Sequence, residues 1–211
     1  MIDKLHYISQ ETDNISHLDA IEKTLIAGAK WIQLRVKNKP EEAILELAIK
    51  ANKLCRTYGA RLIVNDHPLI ALKAEAYGLH LGLTDMPIAE ARSIVGEQMI
   101  IGGTANTFDH VKQRVAEGAD YIGLGPYRFT NTKQNLSPII GLEGYEAIME
   151  QVSISGITTP IIAIGGIELA DIPLIITTGV HGVAVSGALT NQNDTAAIIN
   201  RIYENLLAPS S

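Results

Sequence analysis

Gly118-Ala119-Asp120-Tyr121-Ile122-Gly123 repeats a phrase met twice earlier in the chain, as Gly28-Ala29-Lys30-Trp31-Ile32-Gln33-Leu34 and as Gly59-Ala60-Arg61-Leu62-Ile63-Val64. Each copy sets a glycine, a short polar step and then a run with the character of a buried strand. Gly78, Gly156 and Gly179 introduce looser versions. Glycine tolerates the left-handed backbone that ends a helix, so the phrase marks a helix-to-strand connection. Ahead of Gly59, Ile44, Leu47, Ala48, Ala51, Leu54, Cys55 and Tyr58 keep helical spacing and form one apolar stripe. Short β-rich runs alternating with such stripes predict repeated βα units and a parallel sheet. Strands are expected at 5–9, 31–36, 61–65, 78–82, 99–104, 121–125, 160–165 and 182–186, with helices between them and a last helix near 194–207. Eight such units close most simply into a single-domain (β/α)8 TIM barrel over residues 1–211, with 208–211 as a frayed tail. An open doubly wound sheet is the second reading.

Hydrophobic residues make up 46% of the 211 and charged ones 19%, the balance of an ordinary globular chain. The net charge is −6 with no basic run, which argues against a nucleic-acid platform. Attraction for an anion must then come from local cations or a metal. Cys55 is the only cysteine, so an intrachain disulfide and a cysteine–zinc cluster are excluded. Its place in the apolar stripe suits a small buried hydrophobe. Met1-Ile2-Asp3-Lys4-Leu5-His6 lacks a signal-peptide core, and no apolar stretch is long enough to span a bilayer. A cytoplasmic setting without membrane partners is expected.

In a barrel of this type the functional side chains gather at the C-terminal ends of the strands. Strand two ends Gln33-Leu34-Arg35-Val36-Lys37, and period-two alternation puts Gln33, Arg35 and Lys37 on one side. Two cations and an amide there suit a bound polyanion better than a lone structural charge, whose burial would need a partner. Strand three ends Val64-Asn65-Asp66, and strand four passes His80 into Gly82-Leu83-Thr84-Asp85. Asp66 and Asp85 leave adjacent strands, and hard oxygens of this kind suit Mg2+ bridging carboxylates to phosphate. Each also reads as a cap, Asp66 of a helix and Asp85 of the loop before Met86-Pro87. Strand five ends Gly102-Gly103-Thr104, offering backbone donors and one hydroxyl.

After strand six, Gly125-Pro126-Tyr127-Arg128-Phe129-Thr130-Asn131-Thr132-Lys133 offers two hydroxyls and a lysine to phosphate, or forms an ordinary turn. Gly165-Gly166 after strand seven and Ser186-Gly187 after strand eight can aim N–H groups at a phosphate, with helix packing as the other use of the glycines. His6, His17, His67, His110 and His181 are scattered without metal-ligand spacing. His80 reads equally as a neighbour of substrate or as a hydrogen-bonded core residue. Neither a Gly-x-Ser-x-Gly elbow nor a Gly-x-Gly-x-x-Gly fingerprint is present.

Five blocks taken together resemble the thiamine-phosphate synthase (thiamine-phosphate pyrophosphorylase) family over nearly the whole chain. They are Gln33–Lys37, Ile63–Asp66, Gly78–Gly82 with Asp85, Gly125-Pro126 through Lys133, and Ala163–Ile167. The resemblance implies an enzyme that joins a hydroxymethylpyrimidine diphosphate to a thiazole phosphate, carboxylated or not, and releases pyrophosphate with Mg2+. It implies that Gln33, Arg35, Lys37 and Asn65 contact the pyrimidine diphosphate, with Asp66 and Asp85 as the magnesium ligands. Thr130 and Thr132 would face the thiazole, Lys133 would reach the diphosphate, and Gly166, Ser186 and Gly187 would hold the thiazole phosphate. Arg35, Lys37 and Lys133 become the catalytic cations.

The sequence departs from the family pattern in three places. Thr104 stands where serine is usual, Gly82-Leu83-Thr84-Asp85 lacks the usual glutamine, and Ser186-Gly187 shifts a hydroxyl by one residue. Rival readings are a thiazole tautomerase, which would need an acid/base residue, and a phospho-sugar isomerase, which would need a paired acid and base. A barrel that only binds a phosphorylated metabolite is the non-catalytic alternative. The loop between Pro126 and Gly141 is long enough to act as a lid. A homo-oligomer is left open.

Overall fold

The computed structural model describes residues 1–129, 138–190, 192 and 194–207. Eight parallel strands follow one another around a closed barrel. They are β1 (Leu5–Ile8), β2 (Trp31–Leu34), β3 (Arg61–Asn65), β4 (Gly78–Leu81), β5 (Ile100–Ala105), β6 (Tyr121–Leu124), β7 (Ile161–Ile164) and β8 (Gly182–Val185). All eight expected strands are present, most of them a residue or two shorter. The closed form is settled by β1 against β8, where Leu5, His6 and Tyr7 lie beside Val183, Ala184 and Val185.

Helices α1 (His17–Ile26), α2 (Glu41–Thr57), α3 (Pro68–Lys73), α4 (Ile88–Val95), α5 (Phe108–Ala116), α6 (Gly141–Ile154), α7 (Ile172–Thr177), α8 (Gly187–Thr190) and α9 (Thr195–Leu207) surround the strands. The stripe on α2 faces inward as its spacing predicts: Ile44, Ala48, Ala51 and Cys55 are buried, and Leu47, Leu54 and Tyr58 pack against the same core. Each large apolar side chain so buried contributes about 1.5–3 kcal/mol. Burial also pushes the Cys55 thiol up to about 12, so it is a packing group and not a nucleophile. Gly28, Gly59 and Gly118 have left-handed φ values of 105°, 60° and 82°, as their recurring phrase requires. Gly78 differs. Glu75, at φ 51°, takes the left-handed position there, while Gly78 lies inside β4, where a Cβ would press on Ile63 Cδ1 and the Ile100 carbonyl.

Successive strand residues point alternately to the helices and to the barrel axis. The outward set joins one large core. The inward set includes a separate cluster of Ile8, Trp31, Ile63, Tyr121, Ile162 and Ala184. His6 stacks on Trp31 with ring centres 4.7 Å apart, and Tyr121 meets both edge-on. Gly102 has no side chain because the Tyr121 ring occupies that space. The expectation of Gly102-Gly103 as donors at a strand end is therefore corrected: both lie within β5 and make room for neighbouring side chains. Among the described residues no helix is long and apolar enough to cross a membrane.

Candidate active site

Above the aromatic floor, polar side chains replace apolar ones. Gln33 on β2 donates from Nε2 to Asn65 Oδ1 on β3 at 2.8 Å, and both side chains are buried. His80 on β4 is hydrogen-bonded through both ring nitrogens, Nδ1 to the Tyr121 hydroxyl at 3.0 Å and Nε2 to the Thr104 hydroxyl at 3.1 Å. Of its two readings, the hydrogen-bonded core role is the one the structure shows. These contacts lock the amide and the Thr104 hydroxyl at the upper end of the barrel.

The charged residues converge one layer higher. Strand β2 has ended by Arg35, yet Arg35 and Lys37 still meet the acidic pair. Lys37 Nζ forms an ion pair with Asp66 Oδ2, and half-buried Arg35 lies within electrostatic reach of both Asp66 and Asp85. Burial lowers the Arg35 proton affinity, and the two carboxylates work against that shift. The Asp85 carboxyl is lifted above its ordinary range, first by burial and then by the hydrogen-bonded Asp66 carboxylate beside it. Two carboxylates held this close repel one another until a proton or a cation comes between them.

Asp66 caps no helix, while Asp85 does cap its own loop, as its second reading has it. The N-cap of α3 is His67 and that of α4 is Pro87. Asp66 instead sits at φ 67°, its N–H bonded to the His80 carbonyl at 2.9 Å. Asp85 folds back so that its Oδ2 accepts the Gly82 N–H at 2.6 Å. Two oxygen ligands with open positions fit Mg2+, which keeps several waters and completes its shell with phosphate oxygens. Among the described residues no group of three or more histidine, cysteine or acidic side chains competes for a metal.

On the opposite rim, Gly165 and Gly166 are both left-handed, at φ 95° and 70°. Their partner is the loop after β6 and not a helix. Tyr127 N–H bonds to the Ile164 carbonyl at 2.9 Å and Arg128 N–H to the Gly165 carbonyl at 3.0 Å. A Cβ on Gly165 would lie 2.7 Å from Pro126 Cα, and one on Gly166 would lie 2.9 Å from the Phe129 carbonyl oxygen. The Ser186 hydroxyl donates to Gln10 Oε1 at 3.1 Å, while its carbonyl accepts from Leu189 and Thr190; Gly187 opens α8. Thr130, Thr132 and Lys133 lie outside the described residues. So does most of the segment between Pro126 and Gly141, for which a lid is expected, although its ends are tied by Ile140 N–H to the Pro126 carbonyl at 2.9 Å.

Two supporting residues escaped the sequence reading. Ser9 directly follows β1, accepts the Arg35 N–H at 3.3 Å and bonds to His17 Nδ1 at 2.9 Å. Applying the strand-end rule to strand one would have found it. Arg114 of α5 reaches two strand ends at once, and nothing in its helical context signals that.

A Bacteroides fragilis protein named thiamine-phosphate synthase is 50% identical over 198 residues, covering 94% of this chain and 97% of that protein. A Phocaeicola vulgatus protein of the same name is 49% identical over 199 residues, covering 94% of this chain and 96% of its own. The solved thiamine phosphate pyrophosphorylase of Pyrococcus furiosus superposes with a TM-score of 0.82 at 30% identity, over 96% of this chain and 95% of that one. The family model for thiamine monophosphate synthase spans residues 5–189, from β1 into α8, and with that match the chain belongs to this family.

Proposed function

We propose that this chain joins 4-amino-2-methyl-5-hydroxymethylpyrimidine diphosphate to 4-methyl-5-(2-phosphoethyl)thiazole, with or without a carboxyl on the ring, giving thiamine phosphate and pyrophosphate, and carbon dioxide as well where the ring carries the carboxyl. The meeting of Asp66, Asp85, Arg35 and Lys37 at one strand-end cluster carries this reading. A cytoplasmic enzyme acting on two soluble phosphorylated substrates is the setting that goes with it.

In the reaction the methylene carbon–oxygen bond to the diphosphate breaks, and the oxygen keeps the electron pair. The thiazole nitrogen supplies a lone pair to the same carbon. That nitrogen carries no proton, so a general base has nothing to remove. The pyrimidine amino group feeds electron density toward the methylene as its bond opens, which makes departure of the diphosphate the step that needs help. Asp66 and Asp85 would hold Mg2+, which when bound would supply Lewis-acid charge to the leaving diphosphate. Arg35 and Lys37 would face the same oxygens, and the family resemblance assigns Lys133 to them as a third cation. Fixed cations aimed at developing negative charge are typically worth about a hundredfold or more in rate. Gln33 and Asn65 hold the pyrimidine, their mutual hydrogen bond fixing which amide edge each presents. Gly166, Ser186, Gly187, Thr130 and Thr132 serve the thiazole phosphate, with Thr104 between the two halves.

The test is pyrophosphate release from the two substrates, with and without Mg2+. Release that requires both substrates and the metal is the expected result. Thiazole isomerisation without pyrophosphate, or binding of thiazole phosphate without turnover, would replace this reading with a tautomerase or a binding barrel.

A further inference from the structure

Arg114 is a buried cation in an otherwise apolar layer between α5 and the barrel, with 2% of its surface exposed. A charge in that position is costly unless every donor is met, and an aliphatic side chain would fill the space at less expense. Its partners are specific. Nη2 donates to the Gly82 carbonyl at 3.0 Å, Nε to the Thr104 carbonyl at 3.1 Å, and Nη1 pairs with Glu117 at 2.5 Å. Gly82 and Thr104 are where β4 and β5 hand over to the site. Gly82 also gives its N–H, on the peptide before, to Asp85 Oδ2 at 2.6 Å, and the carbonyl that Arg114 holds faces the Asp85 N–H at 3.4 Å. Thr104 holds His80 through its hydroxyl. Space for the guanidinium stem comes from Gly103, where a Cβ would lie 2.7 Å from Arg114 Cδ.

We propose that Arg114 is a positioning residue for the metal-binding loop: by holding the Gly82 carbonyl it fixes the backbone at Gly82, whose N–H on the peptide before aims the Asp85 carboxylate toward Asp66. Glu117 fixes the far side of the guanidinium, and Gly103 is the small residue that admits it. This rests on the assignment of Asp66 and Asp85 as metal ligands. Groups that orient a ligand from behind commonly change metal affinity or activity by about 10–100-fold when removed.

The experiment compares wild type with Arg114→Met, Arg114→Lys and Gly103→Ala, the last displacing the arginine without removing it. Arg92→Met is the control: Arg92 pairs with Asp120 at 2.8 Å on α4, beside the start of β6 and away from the site. Readouts are Mn2+ binding by electron paramagnetic resonance, half-saturating Mg2+, the KM of each substrate, and melting temperature. The expected result is a roughly tenfold or greater weakening of Mn2+ and Mg2+ in the Arg114 and Gly103 variants. The thiazole phosphate KM should stay within about twofold, and Arg92→Met should lose stability without losing metal affinity. Gly103→Ala placed on Arg114→Met should weaken metal binding less than on wild type, since the guanidinium it would displace is already absent. Wild-type metal affinity in folded Arg114→Met, or equal loss in every parameter including the thiazole KM, overturns the proposal. If Arg114→Met does not fold, Arg114→Lys and Gly103→Ala decide. Absence of pyrophosphate release from wild type would defeat the functional reading alone, and the Mn2+ titration would still judge Arg114.

Discussion

Asp66 occupies left-handed backbone at φ 67°, where a non-glycine residue is held at a cost of about 1 kcal/mol or more. Its carboxylate is pressed against that of Asp85, and it caps no helix. A residue kept in such a place serves something other than stability. Asp66→Gly relieves both the backbone and the repulsion, at the loss of the Lys37 pair. The expected outcome is a melting temperature unchanged or raised, with kcat for pyrophosphate release down by about a hundredfold or more. A melting temperature several degrees lower would make Asp66 a structural residue. That Gln33, Arg35, Lys37, Asn65, Asp66 and Asp85 gather at one rim was legible in the sequence, because all sit near or past strand ends. What each one touches was not. The Gln33–Asn65 bond and the Lys37–Asp66 pair depend on registers between strands that are about thirty residues apart in sequence.

At the scale of elements, β6 and β7 show how one local signal can carry two meanings. Gly165-Gly166 reads as a phosphate cradle, and both glycines are left-handed. The same glycines let the loop after β6 lie across β7, which Arg128 secures through Asp171 at 2.7 Å. Packing of this kind is set by tertiary approach and leaves no periodicity to read. Gly165→Ala meets both a left-handed backbone and the Pro126 main chain, so it should cost about 2 kcal/mol or more, measured by urea denaturation. A neutral result would show that the loop moves aside freely. The strands themselves were legible because each is a short apolar run after a glycine-marked turn. The exception, Gly78, failed because its glycine serves the crowded interior of β4 while Glu75 makes the turn.

For the molecule as a whole, closure of β1 on β8 places His6 in a dry aromatic floor beneath the site. Burial there drives its imidazole from the ordinary 6.5 down to about 3, opposed by the Asp3 carbonyl and assisted by His80 and His181. Between those values the unfolded chain takes up a proton that the folded one refuses. Stability is therefore complete above pH 6.5 and falls as the pH drops toward 3, by up to about 1.4 kcal/mol per pH unit. His6→Phe keeps the stack on Trp31 and cannot titrate, so its stability measured against pH should lose that part of the acid slope. An unchanged slope would assign acid unfolding to other groups.

The barrel delivers two carboxylates and two cations to one point, and the account depends on what they share there. A crystal structure with Mg2+ and pyrophosphate tests this directly. The account predicts one metal ion within about 2.0–2.1 Å of an oxygen from each of Asp66 and Asp85, with Arg35 and Lys37 on the pyrophosphate. An intact Lys37–Asp66 pair, with the metal bound elsewhere or through only one of the two aspartates, would contradict it.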